Sequence, residues 1–181
     1  NELGGYAEVV SEMEVELAFK CGVNANRIIW NGPIKNFDKL KEFLLLGVLV
    51  NIDSVDEAEL IKQVASETDA TLNVVIRCNY DVNDGVISRF GLDVNSDDFD
   101  KTLSIISKTN NIYLKNFQCH FAKRQIEYWP ARVKGMINIL ERVGFVPERI
   151  DMGGGMFGKM EDSLKRQFSS YIPEYKEYAE E

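Results

Sequence analysis

Three consecutive glycines, Gly153-Gly154-Gly155, stop an apolar run that begins at Arg149-Ile150-Asp151-Met152. Residues without side chains leave backbone N–H groups free to approach an anion, so one reading of this stretch is a phosphate cradle. The other is a tight strand-to-helix turn, for which one or two glycines would serve. His120 is the chain's only histidine. Strand alternation groups it with Asn116 and Gln118 on a polar face and sends Phe117, Cys119 and Phe121 to the other. It reads either as a site residue or as a hydrogen-bonded structural imidazole. The same alternation puts Lys115 on the parity opposite His120. Arg77, in an otherwise apolar strand, needs an acid or an anionic ligand because it cannot be neutralised by deprotonation. Glu8 lies in the strand-like run Tyr6 to Val10. Glu14 is either a catalytic carboxylate or the partner of Ser11 in a capping box. A metal site is not expected, since one histidine and three scattered cysteines give no zinc-ligand spacing.

These residues are positioned by an alternating chain. Strand-like runs at Tyr6 to Val10, Arg27 to Trp30, Val48 to Ile52, Leu72 to Cys78, Tyr113 to Phe121 and Arg149 to Met152 are separated by segments of helical period. One helix, about 12 to 21, carries Met13, Leu17, Ala18 and Cys21 as its apolar stripe. A later one, about 131 to 143, carries Val133, Met136, Ile137, Leu140 and Val143. Ser11 with Glu14 and Ser54 with Glu57 fit capping boxes, and Gly22, Gly47 and Gly144 mark helix ends. Gly22 to Ile28 and Gly144 to Ile150 repeat one pattern, a glycine followed after the same interval by Arg-Ile. Six such units predict an α/β fold with a parallel sheet, either doubly wound or curled into a (β/α) barrel. A complete (β/α)8 barrel takes roughly 250 residues, so a barrel here implies two units outside the chain. In both architectures functional groups belong at the carboxyl ends of the strands.

The 181 residues, 45% of them hydrophobic, suffice for one domain with a core. A formal charge of −8 argues against a non-specific grip on nucleic acid or on an anionic membrane surface, and favours a small-molecule or protein partner. Cys21, Cys78 and Cys119 each sit in an apolar segment and read as reduced core residues, which favours a cytoplasmic setting. The acidic stretch of Asp81, Asp84, Asp97, Asp98 and Asp100 reads as a solvated loop and a helix start.

Six segments, taken in order, resemble one family: Ala7-Glu8-Val9-Val10-Ser11-Glu12-Met13-Glu14, Arg27 to Lys35 with its Asn31-Gly32-Pro33, Val50 to Ser54, Ser88-Arg89-Phe90-Gly91-Leu92-Asp93, Cys119-His120-Phe121, and Asp151 to Gly155. The sequence is similar to the fold-type III pyridoxal-phosphate decarboxylases, of the diaminopimelate and ornithine decarboxylase kind. That resemblance implies an alanine-racemase-like (β/α)8 TIM-type barrel, incomplete over residues 1–181, with pyridoxal 5′-phosphate at its mouth. By the family pattern His120 stacks on the cofactor ring, while Gly153, Gly154 and Gly155 receive the phosphate. Glu8, Glu14 and Arg77 match polar positions of the same pocket. The implied reaction is removal of CO2 from the α-carbon of an amino acid, in a cytoplasmic homodimer. A racemase of the same barrel, or a non-catalytic antizyme-inhibitor-like or cofactor-carrying barrel, shares these features.

Three departures accompany the resemblance. The family's cofactor lysine lies on the strand before Glu8, and its Glu-Pro-Gly acid, C-terminal β domain and dimer-interface cysteine come after Gly155. The chain, which opens on Asn1, is therefore expected to be an excerpt, inactive by itself and either poorly soluble or in need of a partner. Where the family reads Gly-Ser after the histidine, this chain reads Ala122-Lys123, and Lys123 is either a point-charge phosphate ligand or a solvent-facing side chain.

Overall fold

A computed structural model describes residues 4–86, 88–168 and 171–180. The chain ends Asn1 and Glu181 lie outside them. The elements, in order, are β1 (Ala7–Val9), α1 (Glu12–Lys20), β2 (Ile28–Trp30), α2 (Phe37–Leu46), β3 (Leu49–Ile52), α3 (Val55–Ser66), β4 (Leu72–Asn79), β5 (Leu92–Asp93), α4 (Asp97–Lys108), β6 (Ile112–Cys119), α5 (Trp129–Val143), α6 (Asp162–Lys165) and α7 (Tyr175–Glu180).

The sheet follows the chain. β1, β2, β3 and β4 pair in that order, β6 pairs with β4, and every ladder is parallel. The strand order never reverses, which removes the doubly wound alternative and leaves the wall of a barrel. Cys78 pairs with both Leu92 and Cys119, so the short β5 occupies the β4 edge opposite β6, past the end of β3. Alternate strand residues, Val9, Ile28, Trp30, Val50, Ile52, Val74, Ile76, Phe117 and Cys119, are buried with Leu40, Phe43, Ile61, Phe99 and Met136 in one core between sheet and helices. Residues of the other parity, among them Glu8, Asn73, Arg77 and Asn116, stand on the opposite face, which is what period-2 alternation dictates for a strand.

Five expectations need correction. The run Arg149 to Met152 forms no ladder strand: Asp151 alone bridges Gln118, donating its N–H to Phe117 O at 3.1 Å and accepting from Cys119 N–H at 2.9 Å. The turn at Gly153, φ +67°, folds back onto Cys119 and His120 two residues later and ends the pairing there. In β6 the register slips between Val74 and Val75, where Val74 pairs with Leu114 but Val75 with Asn116. This bulge inserts one residue, so alternation breaks and Lys115 turns to the same concave side as Asn116 instead of away from it. Helix α1 buries Val15 and Ala18 against the sheet and leaves Met13 73% and Leu17 56% exposed, because those two lie on the other side of the helix. Cys21, at its end, is exposed, whereas Cys78 and Cys119 are buried thiols as expected. In α5 Met136 is buried, but Ile137 is exposed and its place is taken by Trp129, Arg132 and Ile139.

Local chemistry sets the element boundaries. Ser11 and Glu14 make the complete capping box of α1. Ser54 caps α3 by accepting from Glu57 N–H, but the Glu57 carboxylate turns elsewhere. It accepts from Asp53 N–H at 2.8 Å and from Lys35 Nζ at 2.8 Å. Lys35 also donates to the carbonyls of Gly32 and Asn51 and is fully buried, so one ammonium ties the loop after β2 to β3 and α3. Gly47 and Gly144 end α2 and α5 in the left-handed conformation. The repeated Gly-to-Arg-Ile pattern diverges at its end, entering the ladder strand β2 in one copy and the single bridge at Asp151 in the other. Asp97, Asp98 and Asp100 fall in the first turn of α4, where acids favour the helix dipole.

Candidate active site

The concave face of the sheet borders an open cleft of about 890 Å³, whose lining includes Glu8, Asn73, Lys115, Asn116, Asp151 and Gly153. The first acid on this face is Glu8. Its carboxylate accepts from Asn31 Nδ2, and Asn31 Oδ1 in turn accepts from Asn51 Nδ2, which links the ends of β1, β2 and β3 by side chains. Burial raises the Glu8 pKa, the charge of Asp151 adds to that, and Arg77 and the Asn31 hydrogen bond oppose it. Asp151 is displaced upward too, by burial above all. Two carboxyls facing one another across a low-dielectric surface thus hold protons more readily than free acids do.

Arg77 has found its acid. Nη1 lies 3.1 Å from Asp53 Oδ1, with both side chains largely buried, and the guanidinium stands over the Phe90 ring. Of the two partners considered for Arg77, an acid or an anionic ligand, the structure shows the acid.

His120 follows β6 and is anchored from outside its own strand. Gly154 N–H donates to its Nδ1 at 3.2 Å, which places the neutral ring's proton on Nε2. Burial and then the nearby charges of Arg77 and Arg132 lower its pKa, so the imidazole is neutral at pH 7. The glycine turn is wrapped around it. Gly153 has φ +67°, and a Cβ there would stand 2.2 Å from Cys119 O, so no other residue lets the turn come this close. Gly153 N–H is taken by Asp151 Oδ1 at 2.8 Å. Two of the three amides of the expected cradle are therefore engaged within the turn, and Gly155 carries the remaining one.

The other sequence candidates sit apart. Glu14 Oε2 accepts from Val10 N–H at 2.6 Å and Ser11 N–H at 3.1 Å, so the capping reading accounts for this carboxylate. Glu14→Ala should lower the stability of the complete protein by about 1 kcal/mol in urea unfolding, while Glu14→Gln, which keeps the acceptor, should stay within a few tenths of wild type. Equal losses in both would contradict the cap. Lys123 is partly exposed; its backbone carbonyl accepts from Arg132 Nη2, and its Nζ makes no ion pair among the described residues.

Asp151, Asp53, Asn31 and Asn51 were not singled out from the sequence as site residues. The signal for the first was available in its position beside the glycines; the others required knowing the strand register.

The geometry fits a flat, anionic cofactor: a neutral ring fixed edge-on to a glycine turn, with polar groups on the adjoining face. Gln118 Oε1, Asn116 Oδ1 and Asn73 Oδ1 are buried there without hydrogen-bond partners among the described residues. Residues 1–181 match the family described as "Pyridoxal-dependent decarboxylase, pyridoxal binding domain", and the chain belongs to it. Diaminopimelate decarboxylase of Aquifex aeolicus is 27% identical over 170 residues, covering 86% of this chain and 40% of that protein. The crystal structure of diaminopimelate decarboxylase from M. jannaschii superposes with a TM-score of 0.83 at 25% identity, over 99% of this chain and 43% of that one. An alanine racemase of Clostridium difficile 630 shares the fold at 18% identity and a TM-score of 0.61, over 81% of this chain and 38% of its own. The fold is thus that of the alanine-racemase-like barrels, and the chain spans less than half the length of the relatives it matches. The cofactor of this family is pyridoxal phosphate.

Proposed function

We propose that the protein removes CO2 from the α-carbon of an amino acid with pyridoxal phosphate, and that its substrate belongs to the diaminopimelate, ornithine and arginine class. The observation that carries this reading is the clamp between His120 and the glycine turn, next to an acid-bearing concave face. Pyridoxal phosphate supplies the electron sink. The chain's own residues bind and orient. His120 offers a flat, neutral partner for a cationic ring, the Gly153–Gly155 turn receives its phosphate end, and Arg77 is held by Asp53 as a fixed positive charge beside them. Glu8, its proton affinity raised and its orientation set by Asn31, is placed to hold or release a proton on the open face. The resemblance supports a homodimer in the cytoplasm. Among the described residues no helix is long and apolar enough to cross a membrane.

Incubating the complete protein and pyridoxal phosphate with meso-diaminopimelate, ornithine or arginine should release one CO2 per amine formed with at least one of them. Inversion of the α-carbon without CO2 would assign a racemase instead, and binding of the cofactor with neither product would assign a non-catalytic barrel.

A further inference from the structure

Asn31 and Asn51 lie behind Glu8 and are 7% and 1% exposed. Their amides form a directed pair. Asn51 Nδ2 donates to Asn31 Oδ1, and Asn31 Nδ2 donates to Glu8 Oε1. With its own oxygen occupied, the Asn31 amide can present only N–H to the carboxylate. A donor leaves no room for a proton on the oxygen it faces. Oε1 is therefore held as an acceptor in both protonation states of Glu8, and a proton settles on Oε2. That oxygen makes no hydrogen bond among the described residues, and Glu8 lines the open cleft.

The backbone beneath the pair is fixed by a buried cation. Lys35 Nζ donates to the carbonyl of Gly32, next to Asn31, and to Asn51 O at 2.9 Å, and it is paired with Glu57 at 2.8 Å. The two asparagines are thus tied through their main chains as well as their side chains. We propose that Asn51 is a positioning residue for proton transfer: acting through Asn31, it directs the acid proton of Glu8 to the oxygen that faces the cleft. Giving that proton up leaves a carboxylate still held at Oε1. The proposal rests on the decarboxylase reading of the site. Asp151 from the glycine turn and Arg77 from β4, itself paired with Asp53, also act on Glu8 through their charges. Such charges set how firmly a proton is held, whereas a donor fixed on one oxygen decides which oxygen holds it.

Asn51→Leu, close in size but without a donor, frees the Asn31 amide to turn its oxygen toward Glu8 and accept a proton carried on Oε1. The test uses the complete protein with pyridoxal phosphate. The pH midpoint of Glu8, followed by the 13C signal of its carboxyl group and assigned with Glu8→Gln, should move upward in this variant, and the acid limb of kcat should move with it. At the same time kcat should fall about tenfold or more, with cofactor affinity within about twofold of wild type. An unmoved midpoint, or equal losses in kcat and in cofactor affinity, would overturn the assignment. If Asn51→Leu does not fold, wild type carries the test through the side-chain N–H signals of Asn31. One of these protons should stay shifted downfield on both sides of the Glu8 titration, and its return to the position of a free amide when Glu8 is protonated would count against the relay. Wild type that releases no CO2, while the Glu8 midpoint still moves in Asn51→Leu, would instead bring down the functional reading itself.

Discussion

Replacing His120 with alanine is expected to weaken pyridoxal phosphate binding by about 2 kcal/mol, roughly 30-fold, and to slow turnover, with the fold retained. The figure combines a ring-on-ring contact of about 1 kcal/mol with a comparable contribution from the apolar ring area it covers. The loss should depend on pH. Burial and the charges of Arg77 and Arg132 lower the His120 pKa in the folded protein, so the fold favours the neutral ring. Between that lowered value and about 6.5 the unfolded chain binds the extra proton and the folded one does not. The contribution of His120 is therefore complete above about pH 6.5 and is lost as pH falls through the folded value. Protonation also turns the ring into a cation facing a cation and removes the acceptor at Nδ1. Cofactor titrations stepped downward from pH 8 should show the difference between wild type and His120→Ala shrinking only below about pH 6.5, where the lowered His120 value is passed. A difference that stays constant, or a variant that binds like wild type at pH 8, would contradict the stacking role.

Gly153→Ala is expected to cost about 2–4 kcal/mol of stability, as measured by urea unfolding, and to abolish tight cofactor binding. Two effects add: alanine at φ +67° is strained, and its Cβ would stand 2.2 Å from Cys119 O and 3.0 Å from His120 Cα, both backbone atoms that cannot swing aside. Gly154→Ala is the control. Its added Cβ would lie 3.5 Å from His120 Cε1, ordinary contact, and its backbone is not left-handed, so the fold should tolerate it. Comparable destabilisation at the two positions would mean that the turn is not held against β6 as described.

Much of this arrangement can be read from residue order. Period-2 runs bounded by Ser-x-x-Glu and by helix-end glycines place the first four strands to within a residue or two, because local capping and turn chemistry decides where each element stops. The parity of Asn116, Gln118 and His120 can be read for the same reason. The inward turn of Lys115 cannot, since a bulge is a mismatch between two strands and leaves no mark in either one alone. The pairing of Arg77 with Asp53 and the relay from Glu8 through Asn31 to Asn51 likewise depend on neighbours 20 or more positions away. Arg132 is hidden more thoroughly. A basic residue in an amphipathic helix reads as solvent-facing, and only the packing of Trp129, Phe121 and Tyr80 around it turns it into a buried, unpaired charge. The exposed Met13–Leu17 edge of α1 reverses that error, an apolar stripe that the barrel wall does not cover.

The most direct test of the account is a crystal structure of the complete protein with pyridoxal phosphate. The cofactor ring should lie face to face with the His120 imidazole, at about 3.5–4 Å, with its phosphate at the Gly153–Gly155 turn. A cofactor seated elsewhere, or with its ring away from the His120 imidazole, would contradict it.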